Sequence, residues 1–164
     1  MTGNRPLPRE RNRTMADHKL HERIKAALPS TITLDAIPEN FASAQEQIRN
    51  FLDSFPCSMR TLLELDMIVE EVFINIANYA YGKLTGKAWI DLSLDKDSHS
   101  LVMTFRDKGT PYNPLEKETP DISSPAEMRS IGGLGIFLVQ EYADSLSYQY
   151  ADGENRLTIR KKLF

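Results

Sequence analysis

A single cysteine, Cys57, among 164 residues excludes an intramolecular disulfide framework and any cysteine-cluster metal site. It reads as a small apolar residue near a helix start. No apolar run approaches the ~20 residues of a membrane-spanning helix, so no membrane partner is expected. The N-terminus carries charges with no apolar stretch behind them, which does not read as a secretory signal. The net charge of -3 gives no global attraction to nucleic acid or anionic lipid. The three histidines, His18, His21 and His99, sit among polar neighbours and read as surface or tail residues. No internal repeat is present. The expected setting is a reducing cytoplasm.

The apolar fraction of 41% is sufficient for one core in a chain of 164 residues. Residues 1–28 form a mildly basic, proline-bearing extension, and residues 29–164 form the folded domain. Thr31–Leu34 reads as a short strand. Pro38–Ser54 has helical spacing, with Pro38 suited to a first turn. After Pro56, Ser58 caps a longer helix that runs to about Tyr81 and stops at Gly82. Lys87–Leu94 and Leu101–Asp107 alternate apolar with polar residues and pair as a hairpin. Leu115–Ile131 is a long polar loop with two prolines, followed by a helix over Leu134–Ala143. Ser145–Tyr150 and Arg156–Leu163 flank the turn pair Asp152-Gly153. Helices and antiparallel strands thus come in blocks, the signature of an α+β fold. The expected architecture is a two-layer sandwich: a mixed, mostly antiparallel sheet with about three helices on one face.

Three segments carry chemistry. On the second helix, Leu65, Ile68, Val69, Val72, Phe73 and Ile76 share a core face at ~100° per residue. Glu64, Glu71, Asn75 and Asn78 fall on a narrow neighbouring stripe. Glu71 and Asn75 are one turn apart, so a carboxylate and a carboxamide can converge. With phosphate oxygens and water they suit Mg²⁺, and a carboxylate there can also take a proton from a hydroxyl. The same spacing also suits a solvated helix edge. After the third strand comes Asp107-Lys108-Gly109-Thr110-Pro111-Tyr112-Asn113-Pro114. Asp107 can accept a hydrogen bond from an exocyclic amino group such as that of adenine. Gly109 permits a positive φ or the close approach of a flat ligand; plain turn chemistry accounts for the same residues. Finally, Gly132-Gly133-Leu134-Gly135 precedes a helix, where exposed backbone N–H groups suit phosphate. A hinge would have the same composition. No Lys-Ser/Thr follows, so this is not a P-loop.

The succession of Glu-x-x-x-Asn on a helix, Asp-x-Gly-x-Pro after a strand, a polar loop and Gly-Gly-x-Gly before a helix resembles the ATP-binding domain shared by gyrase, histidine kinases and MutL-type ATPases. It is most similar to the stand-alone anti-sigma-factor serine/threonine kinases of stress and sporulation partner switching. The resemblance covers roughly Thr31–Leu163 and implies a Bergerat-type fold. It implies that Asn75 binds magnesium and that Glu71 is the general base. Asp107 would bind the adenine amino group, with Gly109 beside the ring and Asn78, Tyr112 and Asn113 in the same ATP site. Gly132, Gly133, Leu134 and Gly135 would lie near the phosphates, Glu116–Ser130 would be the lid, and Arg129 would reach the phosphates. ATP, Mg²⁺, a small antagonist protein, a sigma factor and a homodimeric partner are implied with it. Where several such kinases carry His-Gly-Tyr, this chain has Tyr79-Ala80-Tyr81. That departure leaves two functions open, a protein kinase and an ATP-gated partner-binding regulator. A motion-coupled ATP hydrolase lacks its transducer domain here.

Overall fold

Alternation along the strands decides which face of the sheet becomes core. The computed structural model of the chain describes residues 28–116 and 134–164. Five strands, β1 (Ser30–Asp35), β2 (Lys87–Asp95), β3 (Ser100–Asp107), β4 (Ser145–Ala151) and β5 (Glu154–Lys162), form one sheet in the order β1-β2-β3-β5-β4. Each of these pairings is antiparallel, the purer form of the mostly antiparallel sheet expected. The period of two puts Ile90, Leu92, Leu101, Met103, Phe105, Leu157 and Ile159 on one face, where all are buried. On the opposite face most side chains are polar, with Trp89 and Val102 among them. There Arg106 donates to Asp91 and Glu154 on the flanking strands.

Among the described residues three α-helices supply the other half of the core: α1 (Phe41–Leu52), α2 (Met59–Asn75) and α3 (Leu134–Tyr142). A single 3-10 turn, Pro38–Asn40, leads into α1. Ser58 caps α2, its Oγ accepting from Thr61 N at 3.0 Å, which satisfies one of the helix's orphan donors. Ala44, Ile48 and Leu52 of α1, Leu65, Ile68, Val69, Val72 and Phe73 of α2, and Val139 of α3 join the sheet residues in one cluster. Truncating a fully buried aromatic such as Phe73 or Phe105 to alanine costs about 3–5 kcal/mol, a large share of a domain's stability.

The end of the second helix departs from the expected continuous α-helix. After Asn75 the backbone opens into a π turn over Ile76–Ala80, and Gly82 then stops it in the left-handed region, φ 59°. A π turn is wider than an α turn, so positions beyond Asn75 rotate away from the wheel read at a constant angle. Asp152 and Gly153, at φ 56° and 74°, form the tight turn expected between the last two strands.

Candidate active site

The inward alternation of β3 does not stop at Phe105. Asp107 occupies the next inward position and is buried, 6% exposed. A carboxylate placed where the pattern asks for another apolar side chain requires partners. It has them: Oδ1 accepts from Gly109 N at 2.9 Å and from Asn155 Nδ2 at 2.8 Å. Asn155 stands directly opposite in the β3–β5 register, and Ala88 lies on the other side. Burial pushes the Asp107 carboxyl above its ordinary range, while the bonds from Asn155 and Gly109 pull it back down.

Asp107 lines a cavity of about 510 Å³, a volume suited to a nucleotide-sized ligand. Asn75, Ile76, Tyr79 and Ala80 form one wall, Thr110, Pro111, Tyr112 and Pro114 another, and Val72, Phe105, Ile136, Tyr148, Asn155 and Leu157 also line it. The floor is apolar and carries one buried acid, which suits a flat heterocycle bearing an amino group.

The π turn joins this wall to the turn after β3. Thr110 N donates to the Ala80 carbonyl at 2.9 Å. A Cβ built at Gly109 would collide with that same carbonyl. Gly109 is therefore required by the approach of protein backbone; it has no positive φ and is not part of the cavity wall. Tyr81 fastens the same corner, its hydroxyl donating to Lys87 O at 2.5 Å and accepting from Lys108 N at 2.9 Å. The segment Tyr79-Ala80-Tyr81 thus places its first two residues on the cavity wall and uses the last two to hold the Asp107 turn.

Glu71 sits one turn before Asn75, half-buried, with its carboxylate against Gly135 in the first turn of α3. Burial raises the Glu71 carboxyl above the ordinary range, and the neighbouring Glu70 charge adds to it. Such a carboxylate is a better proton acceptor at neutral pH than an exposed one. Among the described residues no cluster of three or more His, Cys, Asp or Glu side chains could hold a metal. The Asn75 carboxamide on the wall fits a magnesium ion bound largely by phosphate oxygens and water.

The polar stripe read on the second helix divides. Asn75 lines the cavity and Glu71 faces α3, but Glu64 is engaged elsewhere, paired with Arg60 at 2.7 Å and Lys161 at 2.5 Å. Asn78 is exposed and outside the cavity lining, because the π turn carries it off the stripe. Asn113 is also outside the lining and holds its own turn, accepting from Leu115 N at 3.0 Å and donating to Glu116 at 3.1 Å. Tyr112 is on the wall and half-exposed, and Leu134 begins α3. Arg129, Gly132, Gly133 and the lid from Lys117 onward lie outside the described residues. Sequence reasoning missed Asn155 and Tyr148. Continuing the β5 alternation of Ile159 and Leu157 back by two residues would have exposed a polar residue at an inward position.

The chain matches the histidine kinase-like ATPase domain family over residues 34–161. It belongs to that family. This histidine kinase-like ATPase domain is 28% identical over 102 residues to the serine/threonine-protein kinase BtrW of Bordetella bronchiseptica, covering 62% of this chain and 71% of the relative. It is 24% identical over 130 residues to the anti-sigma F factor of Bacillus subtilis, covering 79% and 87%. A solved Mycobacterium tuberculosis structure of RsbU and RsbW domains superposes with a TM-score of 0.58 at 16% identity, over 83% of this chain. The chain spans about a third of that solved protein, 32%, and the likeness there is one of fold. Within its family the ATPase domain groups with the anti-sigma-factor serine kinases, and membership supports ATP as its ligand. Among the described residues no helix is long and apolar enough to cross a membrane.

Proposed function

We propose that this protein is an ATP- and magnesium-dependent serine/threonine kinase that phosphorylates a small antagonist protein and holds a sigma factor. The observation that carries the reading is the buried Asp107 on the wall of a nucleotide-sized cavity, with Asn75 on that wall and Glu71 one turn behind it. In the proposal Asp107 accepts the amino group of adenine, and the apolar wall takes the ring. Asn75 supplies a carboxamide oxygen to Mg²⁺, which neutralises phosphate charge when bound. Glu71 accepts the proton of the incoming serine or threonine hydroxyl. Residues 29–164 act as the catalytic domain. A homodimer follows from the family likeness.

The departure at Tyr79-Ala80-Tyr81 favours a second reading, an ATP-gated regulator that grips partners without useful phosphotransfer. Incubating the protein with γ-labelled Mg-ATP and candidate antagonists separates the two. Label on the antagonist, lost in Glu71→Gln, supports the kinase. ATP-dependent capture of a sigma factor with no label on any antagonist supports the regulator. Absence of ATP binding rejects both.

A further inference from the structure

Asn155 is buried, 7% exposed, and its amide is saturated. Nδ2 donates to Asp107 Oδ1 at 2.8 Å and to the Thr110 carbonyl at 3.1 Å. Oδ1 accepts from Tyr112 N at 3.0 Å and from the Tyr148 hydroxyl at 2.6 Å. A carboxamide has two donor hydrogens and two acceptor lone pairs, and all four are used. The orientation is unambiguous, because a backbone N–H can only donate and a carbonyl can only accept. A flipped amide would oppose both. One side chain therefore ties together the acid on β3, both sides of the turn after it and the hydroxyl from β4.

The consequence falls on Asp107. Among the described residues both donors to Asp107 converge on its Oδ1, which leaves Oδ2 as the acceptor for a ligand on the cavity wall. An ionised carboxylate so held accepts from a 6-amino group and repels the carbonyl of a 6-oxo base, where two acceptors would face each other. A carboxyl that took up a proton could donate to that carbonyl instead.

We propose that Asn155, oriented by Tyr148, is the residue that sets base preference in this cavity, by holding Asp107 as a pure acceptor toward amino-bearing purines. Asn155 is a positioning residue, acting through Asp107. The titratable groups that act on Asp107 are Tyr148 on β4, Tyr81 beyond the π turn and, from the polar side of the sheet, Glu154 on β5. Among the described residues none of these is a cation, so the amide of Asn155 and the N–H of Gly109 are what offset the upward push of burial on the acid.

The inference rests on the adenine-nucleotide reading of the cavity. The test is titration calorimetry of ADP and GDP between pH 5.5 and 8 on the full chain, with melting temperatures measured without nucleotide. The wild type is expected to prefer ADP. Asn155→Asp keeps the shape, loses both donors and adds a carboxyl that shares a proton with Asp107. It should lower the ADP-over-GDP preference by about tenfold or more and move the pH at which preference fails upward. Tyr148→Phe removes only the orienting hydroxyl and should lower the preference a few-fold. A folded Asn155→Asp protein with wild-type preference and an unmoved pH profile overturns the proposal. So does an equal loss of both nucleotides with no pH shift, which is what a merely structural role produces. Should Asn155→Asp fail to fold, Tyr148→Phe decides, an unchanged preference overturning the proposal. A wild type that binds neither nucleotide rejects the reading of the cavity itself, a separate outcome.

Discussion

Gly135 holds open the space that the Glu71 carboxylate fills. A methyl carbon built on Gly135 would fall on Glu71 Oε2, well inside contact distance, and close to the carboxyl carbon as well. The obstructing atom is the far end of a flexible side chain, so the fold can yield cheaply. What moves is the proposed base.

Gly135→Ala should therefore separate stability from function. Alanine inside a helix is favoured over glycine by about 0.8–1.0 kcal/mol, and the clash is relieved by rotating Glu71. The melting temperature should stay level or rise, while phosphotransfer falls by about a hundredfold as the carboxylate leaves its place. Melting curves and labelled-phosphate transfer on one preparation check it, and undiminished transfer removes the proposed role of this contact.

Gly109→Ala should behave in the opposite way. Here the obstruction is the Ala80 carbonyl, backbone held by the bond from Thr110 N. Neither side has a flexible tip. Overpacking of this kind costs about 1–3 kcal/mol, a fall of roughly 2–4 °C per kcal/mol in a chain of this size. Thermal melting without nucleotide measures it, and an unchanged midpoint would show that the π turn and the Asp107 turn are not locked together.

Glu71→Gln should abolish most transfer, by about 10²–10⁴-fold, and keep ATP binding. Stability supplies a second readout. The folded-state carboxyl is raised by burial, so the native protein holds the proton more tightly than the unfolded chain. Ionising Glu71 therefore costs stability as pH rises from the ordinary glutamate range through the raised value. Glutamine has no such cost. The variant and wild type should melt together at low pH, and the variant should melt higher at neutral pH. A constant difference across that range would contradict the buried carboxylate.

Asp107→Asn and Asn75→Ala should divide base recognition from metal dependence. The first turns an acceptor into a donor opposite an amino group and should weaken ATP by about 10- to 150-fold. The second should remove the magnesium dependence of binding. Calorimetry with ATP, with and without Mg²⁺, distinguishes them; equal losses in both variants would reject the division of roles.

Much of this was legible in one dimension because it rests on period and local chemistry. Strand alternation, the Ser58 cap and the Asp152-Gly153 turn depend on neighbours within a few residues, and all three are present. Asp107 was legible as a site residue because an acid at a strand end before a glycine is locally conspicuous. Asn155 was not. Its meaning comes from standing across a ladder from Asp107, 48 positions away in the chain, and no local pattern records which strands become neighbours.

The helical wheel shows the same limit from the other side. A constant angle put Glu64, Glu71, Asn75 and Asn78 on one stripe, and packing then sorted them. Lys161 arriving from β5 drew Glu64 into an ion pair, and the π turn rotated Asn78 outward. The reason Gly109 must be glycine likewise lay in the Ala80 carbonyl, from a helix end about thirty positions earlier. Sequence alone determined the elements, the core faces and the order of the motifs, because those follow from backbone geometry and side-chain period. Tertiary structure alone decided which polar side chains share the cavity. That depends on how separate elements dock, and docking is settled by burial of the apolar faces; the polar residues are carried along with them.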